Sequence, residues 1–209
     1  MTDLETQSLG RRDRKKQQTR AALIAAALRL VDERGFERVT VEEISEAADV
    51  SSRTFFNYFA TKDDAVIGDP LVGGAELRER LLAVTPGVPI IGALLLAMAP
   101  AIAQIEADRE LWAVRLRVIN NNPVLLPVLF ARGTVAESEF VAAIAARAQV
   151  GVDHPYPQLA ASVTGAAFRT SMLRWAAGDG GRPLSELLHE AFGMLAAGLT
   201  DPEPTNEED

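Results

Sequence analysis

Between Thr40 and Asp64 the chain has room only for very short helices, and most of their boundaries carry a start signal. Thr40 with Glu43 three residues on is a capping-box pair: the hydroxyl accepts the Glu43 amide and the carboxylate returns to the Thr40 amide. "VEEISEAA" then reads as one helix, "DVS" as a tight turn, and Ser52 opens a third short helix reaching Phe59. Thr61 caps a fourth, with Asp63 and Asp64 in the first turn, where carboxylates complement the helix dipole. Upstream, Lys15 to Arg34 has helical periodicity, with Leu23, Ala27, Leu30 and Val31 on one face and Gly35 as the stop. A helix, a tight turn and a second short helix predict a helix-turn-helix.

The aromatic residues sharpen that expectation. Of twelve in 209 residues, four (Phe55, Phe56, Tyr58, Phe59) fall within "SSRTFFNYFATK", residues 51–62. Phe55 and Phe59 lie four apart and face inward, onto an apolar seat formed by Ile44, Ala47, Ala48 and Val50. Arg53, Phe56 and Asn57 occupy another face. One set packs a very small domain and the other projects outward. There, an exposed Tyr58 hydroxyl can bond a phosphate, and Phe56 can pack on sugar or a thymine methyl.

A net charge of −8 argues at first against a polyanionic partner. Its distribution reverses the inference. Residues 1–62 sum to +1 and hold all three lysines, whereas 63–209 sum to −9. "GRRDRKKQQTR", residues 10–20, has six basic residues and one acid. Because salt screens distant charge, the near field of this basic end governs association with nucleic acid.

Beyond residue 67 the pattern is helical throughout: 71–84, 88–106, 108–120, 124–149, 156–178 and 184–199, separated by "TPGVP", "NNNP", "GVDHPYP" and "GDGGRP". Asp69 and Pro70 suit an N-cap and a first helical position. No segment reads as a strand and no internal repeat occurs. The expectation is an all-α protein of about nine helices. Its parts are a basic-ended arm (1–13), a helix-turn-helix domain (14–67), a helical effector-binding and dimerisation domain (68–200) and an acidic tail without fixed structure (201–209). Absence of cysteine excludes thiolate chemistry and disulfides. The polar N-terminus shows no signal-peptide pattern, and Pro100 interrupts the longest apolar run, so a soluble, cytoplasmic protein is expected.

"GFERVTVEEISEAADVSSRTFFNYFATKDDAV", residues 35–66, resembles the signature of the tetracycline-repressor (TetR) family of transcription regulators. That signature runs Gly-Phe, Thr, an Ile-Ala pair, Ala-Gly-Val-Ser, Thr, an aromatic pair, His/Tyr-Phe, then Lys. The "RTFFNYF" variant is also similar to an actinobacterial subgroup that includes regulators beside mycofactocin genes. The resemblance implies a double-stranded DNA operator, a homodimer, a small hydrophobic effector and no cofactor. It makes Thr40 a cap that also touches phosphate, and puts Ser51, Ser52, Arg53, Thr54, Phe56 and Asn57 on the recognition helix. Tyr58 and Lys62 take backbone-contacting positions, and Arg14 and Lys15 belong to the basic approach. Two departures stand out. Asp49 replaces the turn glycine, tolerable because Asp accepts the left-handed conformation; Phe56 replaces the common tyrosine and lacks its hydroxyl. The resemblance also implies a dimer face on the last two helices, where Ala160, Ala161, Gly165, Ala166, Ala167, Ala196 and Ala197 permit close approach.

In the body, Leu111, Trp112, Arg115, Val118 and Ile119 share a helical stripe, with Arg117 opposite. An arginine on an apolar stripe must find an anion or reach water. It either pairs with a carboxylate such as Glu137 or Glu139, or meets an acidic effector head in a pocket with Trp112, Ile119 and Phe140. Enzymatic readings are weak. Glu186–His189 has Glu-x-x-His spacing but lacks the second copy and extra carboxylates that a di-metal bundle requires. The competing class is an all-α lipid- or small-molecule-binding protein without DNA function, which would require the 40–62 motif to be accidental.

Overall fold

Leu23, Ala27, Leu28, Leu30 and Val31 are all buried along one face of the first helix, whose 24 residues run from Arg11 to Arg34. The computed structural model describes residues 10–68, 74–178 and 181–201, omitting the side chains of 11, 74 and 129–136. Its order is α1 (Arg11–Arg34), a 3₁₀ turn (Phe36–Arg38), α2 (Val41–Ala47), α3 (Ser52–Phe56), α4 (Lys62–Ile67), α5 (Gly74–Ala83), α6 (Ile90–Ala107), α7 (Arg109–Asn121), a second 3₁₀ turn (Pro123–Leu125), α8 (Leu126–Ala148), α9 (Pro155–Ala176) and α10 (Leu184–Ala196). The described residues contain no strand, as the periodicity predicts. The placements of Asp69 and Pro70 and of the tail beyond Asp201 fall outside them.

Two boundaries differ from the sequence reading. α1 begins at Arg11, so Arg12, expected in an arm ending at 13, stands on helix. The helix after the tight turn ends at Phe56, short of Phe59. Phe59 is nonetheless buried, carried inward by the loop that follows.

The described residues divide into two compact units. The first comprises those of Met1–Asp69 with Ala113–Leu129, the second those of Pro70–Trp112 with Phe130–Asp209. Besides the N-terminal helices, the first unit takes in the C-terminal part of α7 and the turn after it, which pack with the helix-turn-helix. Three polar contacts hold them there. Arg117 grips Asp32 of α1 with two hydrogen bonds, of 2.9 and 2.5 Å. Arg115 Nε donates to the carbonyl of Val66 near the end of α4. Asn122 accepts from the Phe36 amide at 2.9 Å and donates to the Val118 carbonyl at 2.7 Å. Val118 and Leu125 complete the core of this unit.

In the second unit α9 packs mainly on α10, and α10 on α6. α6 is apolar enough, at a mean hydropathy of 1.8 over 18 residues, to match a membrane span by length and composition. However, Ala93, Leu94, Ala97, Met98, Ile102 and Ile105 line its buried face, and Pro100 lies within the unbroken helix. No side chain of its own caps α10; Glu106 of α6 instead accepts the Ser185 amide at 2.7 Å. Arg109 lies over the buried Trp175 ring, 5.4 Å from its centroid.

Candidate nucleic-acid interface

The capping box at α2 forms as its spacing predicts: Thr40 Oγ1 accepts the Glu43 amide at 3.2 Å, and Glu43 Oε2 accepts the Thr40 amide at 2.9 Å. That amide, aided by Arg34 on the other carboxylate oxygen, holds the Glu43 carboxyl below its ordinary range. Ile44 seats the next helix, but Ala47 is exposed and the buried neighbour is Ser45, whose hydroxyl returns to the Val41 carbonyl. Asp49 adopts φ +55°, and the Val50 amide reaches back to the Ser45 carbonyl at 2.9 Å. This six-to-one closure is what a left-handed residue after a helix allows. The missing glycine therefore leaves the turn intact.

Ser51 is the N-cap of α3, accepting the Thr54 amide at 3.2 Å and exchanging a hydroxyl hydrogen bond with the Thr54 side chain at 3.0 Å. From that start the helical pitch separates the two aromatics of the pair. Phe55 is fully buried, with its ring centroid 5.5 Å from that of the buried Phe59, while Phe56 is 55% exposed. Arg53, Phe56 and Asn57 are exposed together, and Ser52, Thr54 and Tyr58 are half-buried beside them. Among the described residues, no hydrogen bond or ion pair engages the side chains of Arg53 or Asn57, or the Tyr58 hydroxyl. Arg14 and Lys15 are exposed on the first turns of α1.

The ammonium of the half-buried Lys62, expected at the DNA backbone, donates to the carbonyls of Phe36 at 2.8 Å and Val39 at 2.9 Å, and lies 4.2 Å from the Phe36 ring centroid. Sequence reasoning also missed Arg38, exposed two residues before Thr40, and Asn122, which the residue spacing had placed in the body.

Trp112 and Phe140 belong to the second unit, Arg115 and Ile119 to the first. Arg115 is buried against the end of α4, where an added Cβ on Gly68 would lie 3.1 Å from its guanidinium. A helix C-terminus leaves carbonyls without intrahelical partners, and a buried guanidinium is well suited to them. A described cleft of about 490 Å³ in the second unit, lined by Leu82, Val84, Val88, Ile90, Arg147 and Tyr156 among others, includes neither Trp112 nor Phe140.

The predicted small-residue face also divides. Ala160 and Ala161 are buried in their own unit's core, so neither is available to a partner. Gly165, Ala166, Ala196 and Ala197 are exposed, with Ala167 half-buried. Leu159 and Leu173, one heptad to either side of Ala166, are exposed in the same stripe of α9.

A model for the N-terminal domain of bacterial regulatory proteins of the tetR family matches residues 23–66, and one for the MftR C-terminal domain matches residues 88–200. The chain is 31% identical over 174 residues to the HTH-type transcriptional regulator TcmR of Streptomyces glaucescens, covering 79% of this chain and 76% of that protein. Among solved structures, Thermus thermophilus FadR, a TetR family transcriptional repressor in complex with lauroyl-CoA, covers 91% of this chain and 100% of its own at TM-score 0.50 and 22% identity. The fatty acid degradation regulator FadR from Bacillus halodurans covers 88% and 97% at 0.55 and 17%. A SmeT–triclosan complex covers 91% and 98% at 0.52 and 19%. At these identities the structural likeness is one of fold. The chain belongs to the TetR family of transcriptional regulators, with a C-terminal domain of the MftR type, and is not an enzyme.

Proposed function

We propose that the protein is a cytoplasmic, homodimeric repressor that binds a near-palindromic operator and releases it on binding a small, mainly apolar effector. The observation that carries this reading is the division of α3: Phe55 anchors it, while Arg53, Phe56 and Asn57 stand exposed on its outer side. Such a helix presents side chains to base edges in a major groove, and a two-fold dimer presents two of them one helical turn of DNA apart. Arg14, Lys15, Arg38, Thr40, Ser52, Thr54 and Tyr58 flank it as backbone-facing groups. A footprint of the purified protein on its own upstream DNA tests the reading. Two protected half-sites about one helical turn apart are expected. Uniform, sequence-independent protection would overturn it.

The second copy is assigned to the Leu159–Ala166–Leu173 stripe of α9 with the exposed Met194 and Ala196 of α10 and Ala197 just after it. Ala166→Glu should place an unpaired charge in that interface, giving monomers by light scattering and a large loss of operator affinity. A dimer undisturbed by the charge would remove this face.

Trp112 and Phe140 remain the effector-facing candidates. Neighbours in this fold were solved with lauroyl-CoA and with triclosan, which supports an apolar ligand class. With Arg115 turned to the end of α4, no residue in this reading requires an acidic head group. A thermal-shift screen of acyl-CoAs, fatty acids and neutral hydrophobic compounds separates these classes. Stabilisation by none of them would sink the apolar-effector reading.

A further inference from the structure

The turn from Gly35 to Val39 is held from two sides. On one, Lys62 of α4 donates to both of its flanking carbonyls, Phe36 at 2.8 Å and Val39 at 2.9 Å, with the charge over the Phe36 ring. On the other, the Asn122 carbonyl oxygen accepts the Phe36 amide at 2.9 Å, and its amide nitrogen is tied to Val118. Phe36 and Val39, the residues so gripped, are both buried. Arg38 lies between them and Thr40 follows directly, so the turn sets where α2 begins and where both side chains stand.

We propose that Lys62 and Asn122 are positioning residues for DNA binding: they hold the 35–39 turn in the geometry that presents Arg38 and Thr40, and neither meets the DNA itself. Two of the three ammonium donors of Lys62 are taken by carbonyls and its charge is matched to a ring face. A phosphate met through the third donor would compete with the ring face, and one that drew the ammonium outward would break two charge-assisted hydrogen bonds, the stronger kind, and expose two carbonyls. Asn122 extends the same brace to a segment that lies, by sequence, among the body helices. The inference rests on the reading of Thr40 as a DNA-facing residue, and its test is built to separate the two.

Operator affinity is measured across a range of salt for wild type, Lys62→Met, Thr40→Val and the double variant, each shown by thermal melt to be folded at the assay temperature. Methionine keeps an apolar stem of similar length and removes the donors. A phosphate contact is counted by the salt dependence, whose slope falls by about 0.9 for each one lost on duplex DNA. Positioning predicts a five- to twentyfold loss of affinity for Lys62→Met with an unchanged slope. It also predicts coupling, the double variant losing less than the product of the two single losses. A slope lower by about one unit would make Lys62 a phosphate ligand. Strict additivity would reduce it to general stability, and unchanged affinity would remove it from binding altogether. Should Thr40→Val alone have no effect, the reading of Thr40 fails, while slope and affinity of Lys62→Met still decide for or against Lys62. If Lys62→Met melts too low, Asn122→Ser takes its place. It should lower affinity with the slope unchanged and couple to Thr40→Val, and no loss of affinity would overturn the proposal.

Discussion

α3 and the turn that precedes α2 both lie within the family signature, yet they use their polar residues in opposite ways. On α3, Arg53 and Asn57 are exposed with no side-chain hydrogen bond or ion pair among the described residues. At the turn, Lys62 is closed on two carbonyls. Residues of one motif thus divide into groups that present themselves and groups that hold the presenting surface. Residue type does not distinguish them: Arg53 and Lys62 are both cations, and only their neighbours differ. A cation with no partner keeps its donors for a ligand, whereas one satisfied internally contributes by fixing geometry.

The largest test of this division lies within α3. Phe55→Ala removes a fully buried ring and should destabilise the first unit by about 3–5 kcal/mol, seen as a large drop in denaturation midpoint. Phe56→Ala, on an exposed ring, should change stability by less than about 0.5 kcal/mol while weakening operator binding. Equal effects on stability would erase the two faces.

Arg53→Ala is the next largest. If Arg53 reads a base edge, the loss is about 1–3 kcal/mol and is confined to one operator position, so a panel of operator variants shows relaxed preference there. Unaltered binding to the native operator would place Arg53 among the bystanders.

A smaller effect is expected at the α1–α7 contact. The hydrogen bonds from Arg117 hold the Asp32 carboxyl below its ordinary range. A carboxyl depressed in the folded state contributes its stability fully above the ordinary Asp range, and that contribution fades as pH falls through the lowered value. Asp32→Asn should therefore be modestly less stable than wild type at neutral pH, with the gap closing in acid. Because the pair is partly solvent-accessible, added salt should shrink the gap as well. Denaturation curves at neutral and acidic pH, with and without salt, check the sign.

The smallest concerns Asp49, held at φ +55° where glycine is unstrained. Asp49→Gly should raise stability by a few tenths to about 1 kcal/mol. A destabilised variant would show that the carboxylate does something in the turn beyond adopting it.

Much of the architecture was legible without coordinates because it is local. Thr40 with Glu43, Thr61 with Asp64, and Gly35 after α1 act within a few residues, and all three appear as read. The inward turn of Phe55 and Phe59 and the exposure of Phe56 follow from helical pitch and a four-residue spacing, which any sequence displays. What the chain order concealed was pairing across 23 to 86 residues: Lys62 with Val39, Arg115 with Val66, and Asn122 with Phe36. The apolar stripe on α7 correctly required a partner for Arg115, but periodicity specifies a face and not what covers it. The same limit explains Ala160 and Ala161, small residues suited to close packing whose partners are in their own unit. Sequence determined the helices, their caps and the outward face of α3, since hydrogen bonds and side-chain directions within a helix depend on near neighbours. Tertiary structure alone decided which cations were left with no partner, because a charge buried against a distant carbonyl is a property of the packed chain and not of the segment that carries it.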